Sequence, residues 1–224
     1  MKIHSFVKRL NATELGLGET HDTYVAIPSE VDLSNMLVNR QAMTVYDRSS
    51  GNTYTPGKST IKYVQTGQNN QERISGLGQY FLDRDAKVGD EILIESIEVD
   101  GEVKYIIDLH HRNAIVFQKN NPYVEILPNN IIGKYARGQD YVMQVWKNGK
   151  QHELEVKFVK EERKKQSSPK ETKFYDLILD GESILPEYSY QDYIEIITDG
   201  MRLGRMKTYM YSILEMMKEA KKDE

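Results

Sequence analysis

The sequence contains no cysteine. That excludes disulfides, thiolate nucleophiles and cysteine-ligated zinc together, and it fits a cytoplasmic protein without requiring one. No apolar run approaches the length of a membrane span, and the N-terminus lacks a signal-peptide core, so no membrane partner is expected. Excess positive charge is missing too: 30 Lys and Arg stand against 34 Asp and Glu, a formal net charge of −4 with a pI near 5.8. Nucleic acid could therefore be held only through a local patch, never through bulk charge. There is no P-loop, no dinucleotide-binding glycine pattern and no nucleophile elbow. His110, His111 and His152 lack the paired spacing of a zinc site. The expectation is a chain with no catalytic residues, no metal site and no cofactor.

What is present is a globular composition, 39% hydrophobic with a mean hydropathy of −0.62, over 224 residues. That length allows one large or two small domains. Charge segregates along it. Residues 91–100 hold four acids and no base, whereas 157–173 hold seven Lys or Arg against three Glu. Residues 6–28 read as a strand (Phe6, Val7, Leu10), a long polar loop, and a second strand (Tyr24, Val25, Ile27). A hairpin needs only two to five loop residues, so this loop is either solvated surface or an arm that presents groups to a partner.

Further along, Pro28 to Leu37 reads as a short helix, residues 41–47 as a strand, and Ile61 to Val64 as another. A second polar arm, Gln65 to Arg73, follows. Gln79 to Leu82 predicts one helical turn, and Lys87 to Asp90 a turn delivering the strand Glu91 to Val99. Asp100-Gly101 predicts a tight hairpin into Val103 to Leu109. Many short strands without a βαβ alternation predict a mainly β fold, a pseudobarrel followed by a second small β-barrel. Residues 24–45 align with 123–145, and 89–94 with 191–196, in the same order. That is either a degenerate duplication or the shared vocabulary of β-rich chains. The expected domains are 1–112, 113–198 and a C-terminal segment 199–224. In the last, Leu203, Met206, Met210, Ile213, Leu214 and Met217 recur at helical spacing, predicting an amphipathic helix that packs on the second domain or forms a homodimer contact.

With both arms in view, the first half resembles the N-terminal effector-DNA-binding domain of EcoRII-type restriction endonucleases, a pseudobarrel related to the plant B-three domain. The opening pattern falls ungapped on Phe6, Val7, Lys8-Arg9-Leu10, Ala12, Glu14, Gly16, His21 and Ile27-Pro28. A second block falls on Asn70-Gln71-Glu72-Arg73-Ile74-Ser75 and Gly78. The chain departs from the pattern at Glu19 and Thr20, where glycine is usual, and at Asp22, a glutamine position. Those departures imply a different recognition sequence. The resemblance implies two arms gripping the major groove of double-stranded DNA, with Thr13, Glu14, His21 and Asp22 on the first. Gln68, Asn69, Asn70, Gln71, Glu72, Arg73 and Ser75 belong to the second. Arg reads guanine bidentately, Asn or Gln adenine, and Glu or Asp accepts from cytosine. Lys8 and Arg9 are expected as phosphate contacts. By analogy, the chain would serve a bacterial or phage restriction or defence system as a recognition or effector-binding component, with any nuclease or motor on another polypeptide.

Two other readings stay open. Asp140, Glu155 and Lys157 could form a compact metal-dependent nuclease if they converged, although no PD dipeptide adjoins them. The fold could also serve as a protein-interaction module that does not bind DNA.

Overall fold

The computed structural model describes residues 1–17, 21–56, 61–64, 72–127, 138–164, 171–208 and 213–217. In chain order the strands are β1 (Lys2–Arg9), β2 (Tyr24–Ala26), β3 (Ala42–Met43), β4 (Val45–Asp47), β5 (Thr53–Tyr54), β6 (Ile61–Val64) and β7 (Arg73–Ser75). Helix α1 (Gly78–Asp83) precedes β8 (Glu91–Val99) and β9 (Glu102–His110). Then come β10 (Ala114–Asn120), β11 (Tyr123–Ile126), β12 (Tyr141–Lys147), β13 (Lys150–Glu162), β14 (Thr172–Leu179) and β15 (Glu182–Ser183). A 3-10 turn at Leu185–Glu187, β16 (Tyr193–Ile197), β17 (Arg202–Arg205) and β18 (Ile213–Met217) complete the chain. It is mainly β, and no helix of the described residues is long and apolar enough to cross a membrane.

The contacts divide the chain into two compact units, Met1–His111 with the C-terminal strand β18, and Arg112–Lys207. The second unit is a closed barrel of seven strands. Its order is β10-β16-β17-β12-β13-β14-β11, and β11 returns to β10. Every neighbouring pair is antiparallel except β12 with β17. The first unit runs the same way. β1, β8 and β9 are antiparallel, β9 is parallel to β4, and β3, β6, β7 and β2 follow. Here β1 spends its other edge on β18, Lys2 opposite Met217 through Phe6 opposite Ile213. No ladder joins β1 to β2 among the described residues.

The correspondence extends to hydrogen bonds. In the first unit Asp90 closes a turn: Lys87 N donates to its carboxylate, Leu10 N to its carbonyl, and Gly89 N to the Leu10 carbonyl. In the second, Ser189, Asp192, Lys119 and Gln191 make the same three bonds. Gly89 and Gln191 both have positive φ, 92° and 68°, as this turn requires. An ion pair also recurs with its signs exchanged. Asp47 at the end of β4 meets Arg84 after α1 at 2.7 Å, whereas Lys147 at the end of β12 meets Glu187 at 2.9 Å.

Alternation fills each core. Phe6, Leu10, Val25, Ile74, Leu77, Tyr80 and Ile92 lie in the first, and Ile115, Phe117, Val124, Leu154, Tyr175, Leu177 and Ile194 in the second. The hairpin at Asp100-Gly101 forms with both residues at positive φ, 51° and 84°. Two sequence expectations fail. Pro28 to Leu37 is a series of turns rather than a helix, with Val31, Leu33, Met36 and Leu37 still buried. There the Asp32 carboxylate accepts from Ser34 N at 2.8 Å, a local bond that competes with the helical one. The C-terminal helix fails as well. Arg202–Arg205 and Ile213–Met217 are strands, because pairing with β16 and β1 outweighs the helical spacing of the methionines. The expected helical homodimer contact therefore has no basis over these residues.

Two outcomes follow for stability. Gly89→Ala should cost about 1–2 kcal/mol, the strain of a Cβ in the left-handed region, read as a lowered urea midpoint. Burial first, then the Asp83 carboxylate that accepts from its hydroxyl at 2.9 Å, push Tyr54 up to about 12. The neutral phenol's contribution is complete below its ordinary value of 10.0 and is lost as pH rises through about 12. Urea midpoints measured across that window should fall, and Tyr54→Phe should flatten the fall.

Candidate nucleic-acid interface

The first arm begins where β1 ends. Phe6, Lys8 and Leu10 share one face of the strand, so Lys8 points inward and is 1% exposed. Its ammonium pairs with the Glu14 carboxylate, also 1% exposed, and donates to the Ala26 carbonyl at 2.8 Å. The same carboxylate accepts from Asn11 N at 3.0 Å and from Ala26 N at 2.8 Å, while Asn11 Oδ1 accepts from Glu14 N at 3.0 Å. One buried ion pair thus anchors the arm's root to both flanking strands. Beyond it, Leu15 bridges to Thr23 and Tyr24 N donates to the Glu14 carbonyl. Gly16 closes the loop at φ 70°, where an added Cβ would lie 2.9 Å from the His21 carbonyl oxygen.

The short sheet of β2, β7, β6 and β3 lies beside this root. Val25 and Ile74 point into the core, leaving Tyr24, Ala26, Arg73 and Ser75 on the outward face, with exposed Lys62 on β6 next to them. The Arg73 guanidinium lies over the Tyr24 ring, 4.7 Å from its centroid, and its Nε is buried with no hydrogen-bond partner among the described residues. Tyr24 pairs with Ser75 and Ala26 with Arg73. This antiparallel register puts the first arm at one end of a ladder about 7 Å long. The other end of the ladder is at Arg73, which pairs with Val64 on β6, and residues 65–71 lie outside the described residues.

The residues expected from the sequence divide into three groups. Thr13, His21 and Asp22 are exposed on the first arm, and Arg73 and Ser75 form the floor. Gln68, Asn69, Asn70 and Gln71 lie outside the described residues. Lys8, Arg9 and Glu14 are the corrections, because all three are buried. Arg9 Nε donates to the Gly89 carbonyl at 2.9 Å, and Lys8 and Glu14 hold one another. None of the three is set to contact a phosphate or a base edge. Glu72 is also engaged, its carboxylate accepting from the Tyr63 hydroxyl and its carbonyl from Ile27 N. Tyr24, which the sequence leaves open as a core aromatic or a contact, and Lys62 join the floor, where β alternation around Val25 and Tyr63 puts them. The spacing Asn11-x-x-Glu14 is that of a capping box, the sequence signal that Glu14 turns inward.

The nuclease candidates are neighbours across the β12–β13 ladder, with Glu155 and Lys157 on one face of β13, but they supply only two carboxylates. Asp140 Oδ1 accepts from Phe158 N at 2.8 Å, and Lys157 stands opposite Asp176 in the β13–β14 ladder. Among the described residues no group of three His, Asp or Glu is placed to hold a metal ion. No protein-family model matches the chain, and no curated protein matches it significantly.

The anchor makes a sharp prediction. Glu14→Ala leaves a buried, unpaired ammonium and should destabilise the first unit by about 3–5 kcal/mol in urea unfolding. Lys8→Met together with Glu14→Gln should recover a large part of that loss, since no uncompensated charge then remains.

Proposed function

We propose that the first unit reads double-stranded DNA in the major groove, straddling it with the arm of residues 11–23 and the segment 65–71. The observation that carries this reading is the outward face of the β2–β7 ladder beside the root of the first arm. This three-residue ladder holds a guanidinium stacked on tyrosine, next to an arm whose root is buried and whose Thr13, His21 and Asp22 are exposed. Such a guanidinium plane, fixed in advance, suits bidentate recognition of guanine. Contacts to phosphate then fall to exposed cations such as Lys62, in place of Lys8 and Arg9. With a net charge of −4, binding rests on a few contacts and a shallow salt slope. The place of the protein in a restriction or defence system, beside a separate nuclease or motor, follows from the resemblance to EcoRII-type effector domains.

Selection from a random duplex library at moderate salt should enrich one short motif, and failure to enrich any motif would sink the reading. On the selected site, Arg73→Ala should relax preference at one base pair and cost about 1–3 kcal/mol. Lys62→Ala should weaken all sequences alike and reduce the salt slope by about 0.9. Both are read by fluorescence anisotropy.

A further inference from the structure

We propose that the second unit carries a separate site for unpaired nucleotides, in the cleft above β11, β14 and β13. The cleft is lined by Asn121, Tyr123, Lys160, Lys164, Phe174 and Tyr190, among others. By strand order and register it occupies the place that the outward face of the β2–β7 ladder has in the first unit. Tyr123 opens β11 as Tyr24 opens β2. Phe174, opposite Glu125, takes the position of Arg73 opposite Ala26, and Lys160, opposite Phe174, takes that of Val64 opposite Arg73.

The decisive detail is a bulge. Phe158 pairs with Tyr175 and Lys160 with Phe174, so Val159 is an extra residue in β13. Without it Lys160 would lie on the other face of the sheet; with it the ammonium sits 5.7 Å from the Tyr123 ring centroid and 5.8 Å from that of Phe174. Tyr190, 59% exposed, stands at the cleft wall. Lys160 pairs with Glu162 at 2.7 Å and Lys164 with Glu125, yet each ammonium has three donors and can share them with a phosphate oxygen. Tyr190 and the half-buried Tyr123 offer ring surface over the buried Phe174, and such rings with cations beside them and side-chain amides at the rim are the groups that hold a stacked base and its phosphate. The strand carrying Lys160 belongs to the 157–173 stretch with seven bases against three acids. An unpaired base is required because the arm that would straddle a duplex is reduced here to the turn between Asn120 and Tyr123. Ring stacking also needs a base face that a duplex keeps covered.

The test uses the full chain and a fluorescein-labelled oligothymidylate of about 12 nucleotides, a length that covers one such site. The proposal expects saturable anisotropy that Tyr190→Ala and Lys160→Glu each weaken roughly tenfold, while Arg73→Ala leaves it unchanged. Tyr190 is a surface residue, and unaltered binding of the selected duplex by Tyr190→Ala would show that folding and the first unit are intact. Thymidine monophosphate added as competitor identifies the occupant. Displacement points to a free nucleotide and its absence to a strand, and either upholds the site. The proposal is overturned if the oligonucleotide does not bind, or if both cleft variants bind it as well as the parent. It is equally overturned if poly-glutamate displaces it, since the cleft would then hold charge alone.

Discussion

The buried pair of Lys8 and Glu14 does work that backbone does elsewhere in the chain. In the second unit β10 and β11 pair directly, Gln118 opposite Glu125, and that ladder closes the barrel. In the first unit the residue equivalent to Glu125 is Ala26, and its backbone groups meet side chains instead. Its N–H donates to the Glu14 carboxylate and its carbonyl accepts from the Lys8 ammonium. A carboxylate and an amine have been inserted where two strands would touch. The residue equivalent to Lys8 is Phe117, 0% exposed, so the second barrel fills with a ring the space the first fills with charge. A buried pair of this kind is weak as a source of stability compared with an apolar replacement. What it provides is a gap of defined geometry, from which a long arm can leave without unravelling the barrel.

The rest of the first unit is arranged around that opening. β18 covers the free edge of β1 on the side that β11 covers in the other barrel, so opening the barrel leaves that stretch of edge paired. The Asp90 turn locks the far end of β1 to the start of β8, and its counterpart at Asp192 does the same for β10. The exchanged ion pairs, Asp47 with Arg84 and Lys147 with Glu187, tie the parallel strand to the segment before that turn in both units. Charge sign is free to vary at such a position because only the pairing matters to the fold. On the outward face of the short sheet the first unit holds a guanidinium over tyrosine, and the equivalent positions of the second hold an aromatic cleft with Lys160.

Much of this was legible locally. The Asp100-Gly101 hairpin, the Lys87–Asp90 turn and the single helical turn at Gln79–Leu82 each depend on a few adjacent residues, and each lies where its chemistry places it. The inward orientation of Lys8 could have been read from its parity with Phe6 and Leu10, had its charge not argued for the surface. Other features were hidden for physical reasons. The partner of β18 is at the opposite end of the chain, and nothing in the spacing of Met206, Ile213 and Met217 distinguishes a helix stripe from scattered strand positions. The Val159 bulge leaves no local mark, although it decides which face Lys160 occupies. Tyr24 gains its role only from Arg73, which reaches it across a ladder.

The pairing of β1 with β18 also sets an order of events at the ribosome. β1 is made before the second unit, and β18 follows only after the whole second unit has been synthesised. The closed barrel can complete itself while the open one still carries a bare strand edge with Phe6 on it. During that interval the nascent chain exposes a template for wrong partners, and chaperone capture or self-association competes with native closure. Shortening the chain before Ile213 would make that transient state permanent, so such a fragment would be prone to aggregate.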